Sequence, residues 1–298
     1  MRKRALIFGV GGMDGSHCAD LLLEKNYEVH GLYRRSSYDN LARVAHCRDR
    51  LKLHAGDMTD FDSVLAALME SRAEEAYNFA DQDDVRFSHK VPLAQLAVTA
   101  GGCANVLRAA QIIKGAASTH APPIRVFQPL SATMFGDATP PQNERTPFAP
   151  ASPYACAKVA AYHLCQHYRR EYGLWVGTAI FFNHDSPRRG PGYLLQRIAR
   201  GERPDGDLSA VVDIGYAPEY VEAAWRILQH DKPDDFVIGT GIGYRIQNLC
   251  EGVSRQTQAT LGLIADATKA HRTLGWKPRR DAFSTLELIR ENYACRRP

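Results

Sequence analysis

Six short apolar runs, separated by segments of helical spacing, fill the first 180 residues or so, and this alternation constrains the chain more than any other feature. Ala5-Leu6-Ile7-Phe8 runs into glycines and is followed by helical spacing through Leu21, Leu22 and Leu23. Tyr27 to Tyr33, Leu51 to His54, Ala76 to Phe79, Val126 to Leu130 and Val176 to Phe182 repeat the strand signal. The longest helical stretches between them are 92–113 and 153–171. Parallel neighbours need crossover connections, usually helices, so repeated β-α units predict a doubly wound parallel sheet with helices on both faces. Ligands of such sheets bind beyond the carboxyl ends of the strands. The expected architecture is an α/β, Rossmann-type domain over residues 1–185. A smaller, shortened substrate lobe follows over 186–298, interleaved with the core. In that lobe Pro187, Gly190, Pro191 and Gly192 break the pattern, and short helices near 218–230, 244–253 and 281–295 surround one strand, Phe236-Val237-Ile238.

Charge and cysteine content narrow the function classes. The 37 basic and 33 acidic residues leave a net charge of +4. The basic runs (Arg34-Arg35, Arg188-Arg189, Arg279-Arg280 and Arg296-Arg297) are dispersed. That pattern argues against nucleic acid and for an anionic small molecule. The seven cysteines include no C-x-x-C pair, which speaks for reduced thiols rather than a disulfide framework, and for no metal site. The first apolar run is too short for a signal sequence, and no apolar stretch reads as a membrane span. A cytoplasmic protein without membrane contact is expected.

The first strand ends in Gly9-Val10-Gly11-Gly12-Met13-Asp14-Gly15 and a helix follows. Glycines at 9, 12 and 15 let the backbone turn tightly and approach a pyrophosphate, whose charge the helix N-terminus stabilises. The second strand ends in Arg34-Arg35-Ser36-Ser37. An NAD site commonly has an acidic residue there for the ribose 2′-hydroxyl, whereas arginines suit the 2′-phosphate of NADP.

Tyr154 and Lys158 form a Tyr-x-x-x-Lys pair, which a helix places on one face. An ammonium beside a phenol favours the phenolate, so Lys158 is expected to lower the pKa of Tyr154. Tyr154 then exchanges a proton with a substrate oxygen as hydride moves to or from a nicotinamide. Ser131, at the end of the fifth strand, is placed to bind the same oxygen. Ser131, Tyr154 and Lys158 are the expected catalytic residues.

Together these features resemble the extended short-chain dehydrogenase/reductases, and within them the GDP-mannose 4,6-dehydratases. The resemblance runs through Gly9 to Gly15, Arg34-Arg35-Ser36-Ser37, Ser152-Pro153-Tyr154 with Ala157-Lys158, and Phe182 to Gly190. It continues in Tyr220-Val221-Glu222-Ala223, Lys232 to Ile238 and Leu274-Gly275-Trp276-Lys277-Pro278. It implies that Met13 and Asp14 join the cofactor turn and that Asp57 and Met58 lie near the adenine. Phe79, Ala80 and Gln82 would pass the ribose and phosphates, His184 and Arg189 would contact NADP, and Asn183 the sugar. It also implies a homodimer formed through the helices at 92–113 and 153–171.

The departures concern the reaction and the substrate. Dehydratases of this family carry Thr-x-Glu at the end of strand five, where the glutamate removes a sugar proton. Here the residues are Ser131-Ala132-Thr133, as in UDP-galactose 4-epimerase, and a threonine hydroxyl is no general base at neutral pH. Asp83 replaces a serine near the sugar, and Val212 an arginine for the nucleotide diphosphate. The substrate-binding insertion is shortened, with Arg255 a candidate to restore charge. The expectation is an NADP-dependent enzyme that oxidises a hydroxyl of a sugar or nucleotide sugar, as an epimerase or oxidoreductase. The alternatives are dehydration of a nucleotide sugar and an NADP-binding sensor without chemistry.

Overall fold

The computed structural model describes residues 2–116 and 124–295. The basic run at Arg296-Arg297 lies outside them. In chain order the first half comprises β1 (Arg4–Phe8), α1 (Met13–Glu24), β2 (Glu28–Tyr33), β3 (Leu51–Ala55), α2 (Phe61–Ser71), β4 (Glu75–Asn78), α3 (Val85–Ser88), α4 (Pro92–Leu96), α5 (Gly102–Ala116) and β5 (Arg125–Ser131). The second comprises α6 (Pro153–Tyr172), β6 (Trp175–Phe181), β7 (Asn183–Asp185), α7 (Leu194–Ala199), β8 (Val211–Val212), β9 (Ile214–Tyr216), α8 (Ala217–Gln229), β10 (Asp235–Ile238), β11 (Tyr244–Arg245), α9 (Ile246–Glu251), α10 (Thr268–Leu274) and α11 (Ala282–Cys295).

The main sheet has seven strands in the order β10-β6-β5-β4-β1-β2-β3. Every pairing in it is parallel. Its central strands β1 and β6 read as nearly unbroken apolar runs because helices cover both faces. Ala5, Leu6, Ile7 and Phe8 are all fully buried. One core layer packs α1 and α8 against the sheet, with Tyr220 and Trp276. The other packs α2, α5 and α6, with Val106, Leu107 and Phe135. The chain reverses its order of strand addition between β1 and β4, so a crevice opens there beyond the strand ends.

Two expectations change. The strand at 236–238, expected inside the substrate lobe, is β10; it pairs with β6, Phe236 opposite Ala179, and forms the edge of the main sheet. Helix α8 likewise packs on α1 and the sheet. What remains of the lobe is α7, α9, α11 and the short ribbons β8–β11 and β7–β9, around a small core of Leu195, Ile214, Tyr244 and Leu286. The second change concerns residues 92–116. They form one continuous helix that is long and apolar enough, by length and composition, to cross a membrane. In this fold it packs on α2 and α6 and buries Cys103, Val106, Leu107, Ala109 and Ala110. Midway, Ala97–Gly101 form a π-helical turn.

Candidate active site

The turn after β1 can be built only with glycine at three positions. Gly9 has φ +76°, and a Cβ on it would come within 2.8 Å of the Ala80 backbone. A Cβ on Gly15 would lie 2.2 Å from the Gly9 carbonyl oxygen, so α1 could not seat against the turn. Gly11, which the sequence pattern did not single out, is equally constrained: its Cβ would sit 2.0 Å from the Asn40 carbonyl oxygen. The turn leaves the first peptide N–H groups of α1 facing the crevice, a site for an anion.

A groove of about 590 Å³ runs from this turn past the ends of β2 and β4. Gly9, Gly12, Arg34, Asp57 and Met58 line it, as do Phe79, Ala80, Gln82 and Asp83. Arg35, Ser36 and Ser37 do not line it; they stand exposed on the loop after β2. Their place is taken by Asn40 and Arg43. Arg43 comes from the 3-10 turn at Ala42–Arg50 and donates from Nε to the Arg188 carbonyl (2.7 Å) and from a terminal nitrogen to that of Gly11 (3.2 Å). Its distance in sequence from the Arg34-Arg35 run concealed it.

A second cavity of about 230 Å³ adjoins the groove through Gly12, Phe79, Asp81 and Asp83. Met13, Asp14, Ser131, Thr133, Tyr154, Lys158, Asn183, His184 and Arg189 all face it. The structure thus brings the serine, tyrosine and lysine together. Local chemistry explains why. Ser152 caps α6 by accepting from the Ala155 N–H (3.1 Å), and Pro153 occupies the first turn. Tyr154 therefore stands at the start of α6, beside the end of β5. The Lys158 ammonium lies 5.6 Å from the Tyr154 ring centre and donates to the Pro129 carbonyl (3.0 Å). The Ser131 hydroxyl accepts from the Thr133 N–H (3.3 Å) and hydroxyl (2.9 Å).

The expected lowering of the Tyr154 pKa is not what the environment produces. Burial raises it most; Lys158 pulls it down, but Asp81 and Asp83 push it back up, and the net direction is upward. The carboxylate of Asp81 lies 2.6 Å from the Lys158 ammonium and offsets its charge.

Three carboxylates face the cavity, and each is engaged. Asp14 pairs with His184 Nε2 (3.0 Å), whose other ring nitrogen faces the Phe182 carbonyl (2.9 Å). Burial acts to raise the Asp14 pKa, but His184 and Arg189 hold it below the ordinary range. Asp81 pairs with Lys158. Asp83, expected at the sugar, accepts from the Tyr193 hydroxyl (2.8 Å) and pairs with Arg189 (3.2 Å), whose guanidinium stacks on the Tyr193 ring (3.8 Å). Thr133 offers only its hydroxyl. Arg255 does not line the cavity: it stands exposed after α9, with its carbonyl accepting from Asn248 (3.1 Å).

The description "GDP-mannose 4,6 dehydratase" belongs to the family model that matches residues 6–262. GDP-mannose 4,6 dehydratase 1 of Arabidopsis thaliana is 36% identical over 93% of this chain and 86% of its own length. The GDP-mannose 4,6-dehydratase of Vibrio cholerae is 37% identical over 88% of this chain and 74% of its own. Among solved structures, UDP-glucose 4-epimerase of Thermotoga maritima with UDP-glucose superposes with a TM-score of 0.83 at 24% identity, covering 98% of each chain. The dTDP-glucose 4,6-dehydratase of Bacillus anthracis superposes with a TM-score of 0.82 at 18% identity, over 99% of this chain and 97% of its own. At such identities the superpositions speak for the fold. The sequence relationships reach further, and they place this chain in the GDP-mannose 4,6-dehydratase family, among the nucleotide-sugar epimerases and dehydratases of short-chain dehydrogenase/reductase type.

Proposed function

We propose that the chain binds NADP and transfers hydride at a carbinol carbon of a nucleotide-linked hexose, as dehydration of the GDP-mannose type requires. The observation that carries this reading is the meeting of Ser131, Tyr154 and Lys158 at one cavity beside the glycine turn, in a chain whose dehydratase relatives align over most of its length. Those relatives favour a dehydratase-type reaction over the epimerase reading drawn from Ser131-Ala132-Thr133.

The residues present fit a nicotinamide dinucleotide. The groove passes along Gly9 and Gly12, and the buried Nε of Arg189 has no partner, a donor left for a phosphate oxygen. Asp57 and Met58 would hold the adenine end, and Lys158 the ribose of the nicotinamide. The bound dinucleotide supplies the hydride acceptor and donor. The protein does the rest: Tyr154 exchanges a proton with the reacting oxygen, Ser131 binds that oxygen, and Asn183 borders the sugar.

NADP is preferred over NAD on the strength of Arg34 and Arg43 in the groove wall. Arg34→Ala is expected to weaken NADP binding about tenfold or more, the scale of one lost charge-assisted hydrogen bond, while NAD binding stays within about twofold. Calorimetric titration with both dinucleotides checks this, and an equal loss for the two removes the case for NADP.

A second reading, hydride transfer without elimination, is favoured by Thr133 and by the pairing of all three cavity carboxylates. Mass spectrometry of GDP-mannose and other nucleotide sugars incubated with the protein and NADP separates the two. A product lighter by one water supports dehydration. An isobaric product, or accumulation of reduced dinucleotide, supports the second reading.

A further inference from the structure

Beyond the Ser-Tyr-Lys triad, a buried carboxylate grips the catalytic lysine. The Asp81 side chain is 12% exposed and that of Lys158 is 4% exposed. Their contact at 2.6 Å is sheltered from solvent screening. Asp81 is fixed from behind by a closed chain of hydrogen bonds. The Gln82 N–H donates to Asp81 Oδ1 (2.8 Å), and the Thr99 hydroxyl donates to the same oxygen. Thr99 in turn accepts from Gln95 Nε2 (2.7 Å), so its single proton is committed to Asp81. Gln95 is fully buried; Gln82 Nε2 donates to its Oε1 (2.6 Å), and its own Nε2 also donates to the Gln82 carbonyl (3.0 Å).

Thr99 lies in the π-helical turn at Ala97–Gly101. Such turns are rare and recur at functional sites, because the extra residue rotates one side chain out of the helical register. Here the side chain that meets Asp81 comes from that turn. An ammonium has three protons. At Lys158 the Pro129 carbonyl takes one, and the Asp81 carboxylate stands 2.6 Å away as the counter-ion.

We propose that Asp81, held by Thr99 on the π-helical turn, is a positioning residue: it clamps the Lys158 ammonium and offsets the charge that Lys158 presents to Tyr154. This rests on Tyr154 and Lys158 being the working pair of the proposed function, but not on the identity of the substrate. The groups facing Tyr154 are Lys158 on its own helix, Asp81 and Asp83 from the loop after β4, and Ser131 from β5. Those facing Lys158 are Asp81, Tyr154 and the Cys103 thiol on α5. Burial favours the neutral amine of Lys158, but Asp81 and Tyr154 outweigh it and the ammonium is held. A lysine so offset leaves Tyr154 its proton in the resting site.

The test is an NMR titration of the full chain labelled at tyrosine Cζ, with the Tyr154 signal assigned by its loss in Tyr154→Phe. In the wild-type protein this signal is expected to remain that of a phenol up to the ordinary tyrosine range near about pH 10. In Asp81→Asn its midpoint is expected to fall, and in Asp81→Glu to return toward the wild-type position. A purely structural role for Asp81 would lower the melting temperature of Asp81→Asn and leave the Tyr154 midpoint where it was. An unchanged or raised midpoint in Asp81→Asn overturns the proposal. So does a wild-type Tyr154 that ionises well below the ordinary range, a result that needs no variant to fold. Because no substrate enters the titration, a silent product screen with a shifted midpoint counts against the proposed function alone.

Discussion

Tyr154→Phe is expected to lose turnover by about two to four powers of ten, the contribution of a positioned general acid or base, which is about 3–5 kcal/mol of transition-state stabilisation. The change removes one oxygen from a residue that is 8% exposed and leaves its ring to pack as before. The ring sits at the start of a capped helix, and the caps are made by Ser152 and Pro153 rather than by the hydroxyl. The variant should therefore fold and bind the dinucleotide as the wild type does. Single-turnover kinetics on the nucleotide sugar found active, with dinucleotide binding measured in parallel, make the check. A variant that turns over at the wild-type rate excludes Tyr154 as the proton-transfer residue. If it also retains whatever biological effect the wild type has, a dinucleotide sensor becomes the better description.

The parts of this site visible in the sequence are those that depend on neighbours along the chain. The central strands β1, β5 and β6 could be read because each, covered on both faces, carries a largely continuous apolar run. The glycine turn was legible because Gly9 and Gly15 answer a local steric demand. Tyr154 and Lys158 were legible because one helix carries both. What stayed hidden depends on residues distant in sequence. The strand at Asp235–Ile238 was visible as a strand, yet only its pairing with β6 assigns it to the main sheet. Arg43 reaches the groove through a loop whose path the sequence does not specify. Arg255 was expected to restore lost charge, but the shortened loop leaves it away from the cavity. The upward direction of the Tyr154 shift was not legible because Lys158 was considered alone; burial outweighs it, and Asp81, from another strand end, adds to the rise.

Thr133→Glu is expected to raise the rate of water loss from the sugar by about 10²–10⁴, the range a well-placed general base provides. The argument is one of missing chemistry on a retained frame. Dehydration needs hydride removal, proton abstraction at the adjacent carbon, departure of hydroxide as water, and return of the hydride to the sugar. The residues for the first are assembled here; for the second, the cavity carboxylates among the described residues, Asp14, Asp81 and Asp83, are each engaged by a partner side chain. Thr133 follows Ser131 by two residues in the 3-10 turn Ala132–Phe135 and faces the same cavity as Tyr154. A glutamate there gains reach into that space and loses only the hydroxyl's bond to Ser131. Mass spectrometry of GDP-mannose incubated with wild type and variant reads the result as the ratio of product lighter by one water. A rise in the variant means the scaffold still holds a hexose in the dehydratase pose and that residue 133 set the reaction. If the wild type already dehydrates at a rate the glutamate does not improve, another base serves, and the pairing of the three carboxylates must open when substrate binds. If neither protein yields that product while isobaric conversion persists, the frame has been turned to hydride transfer alone, and the offset Lys158 and protonated Tyr154 become the centre of the mechanism.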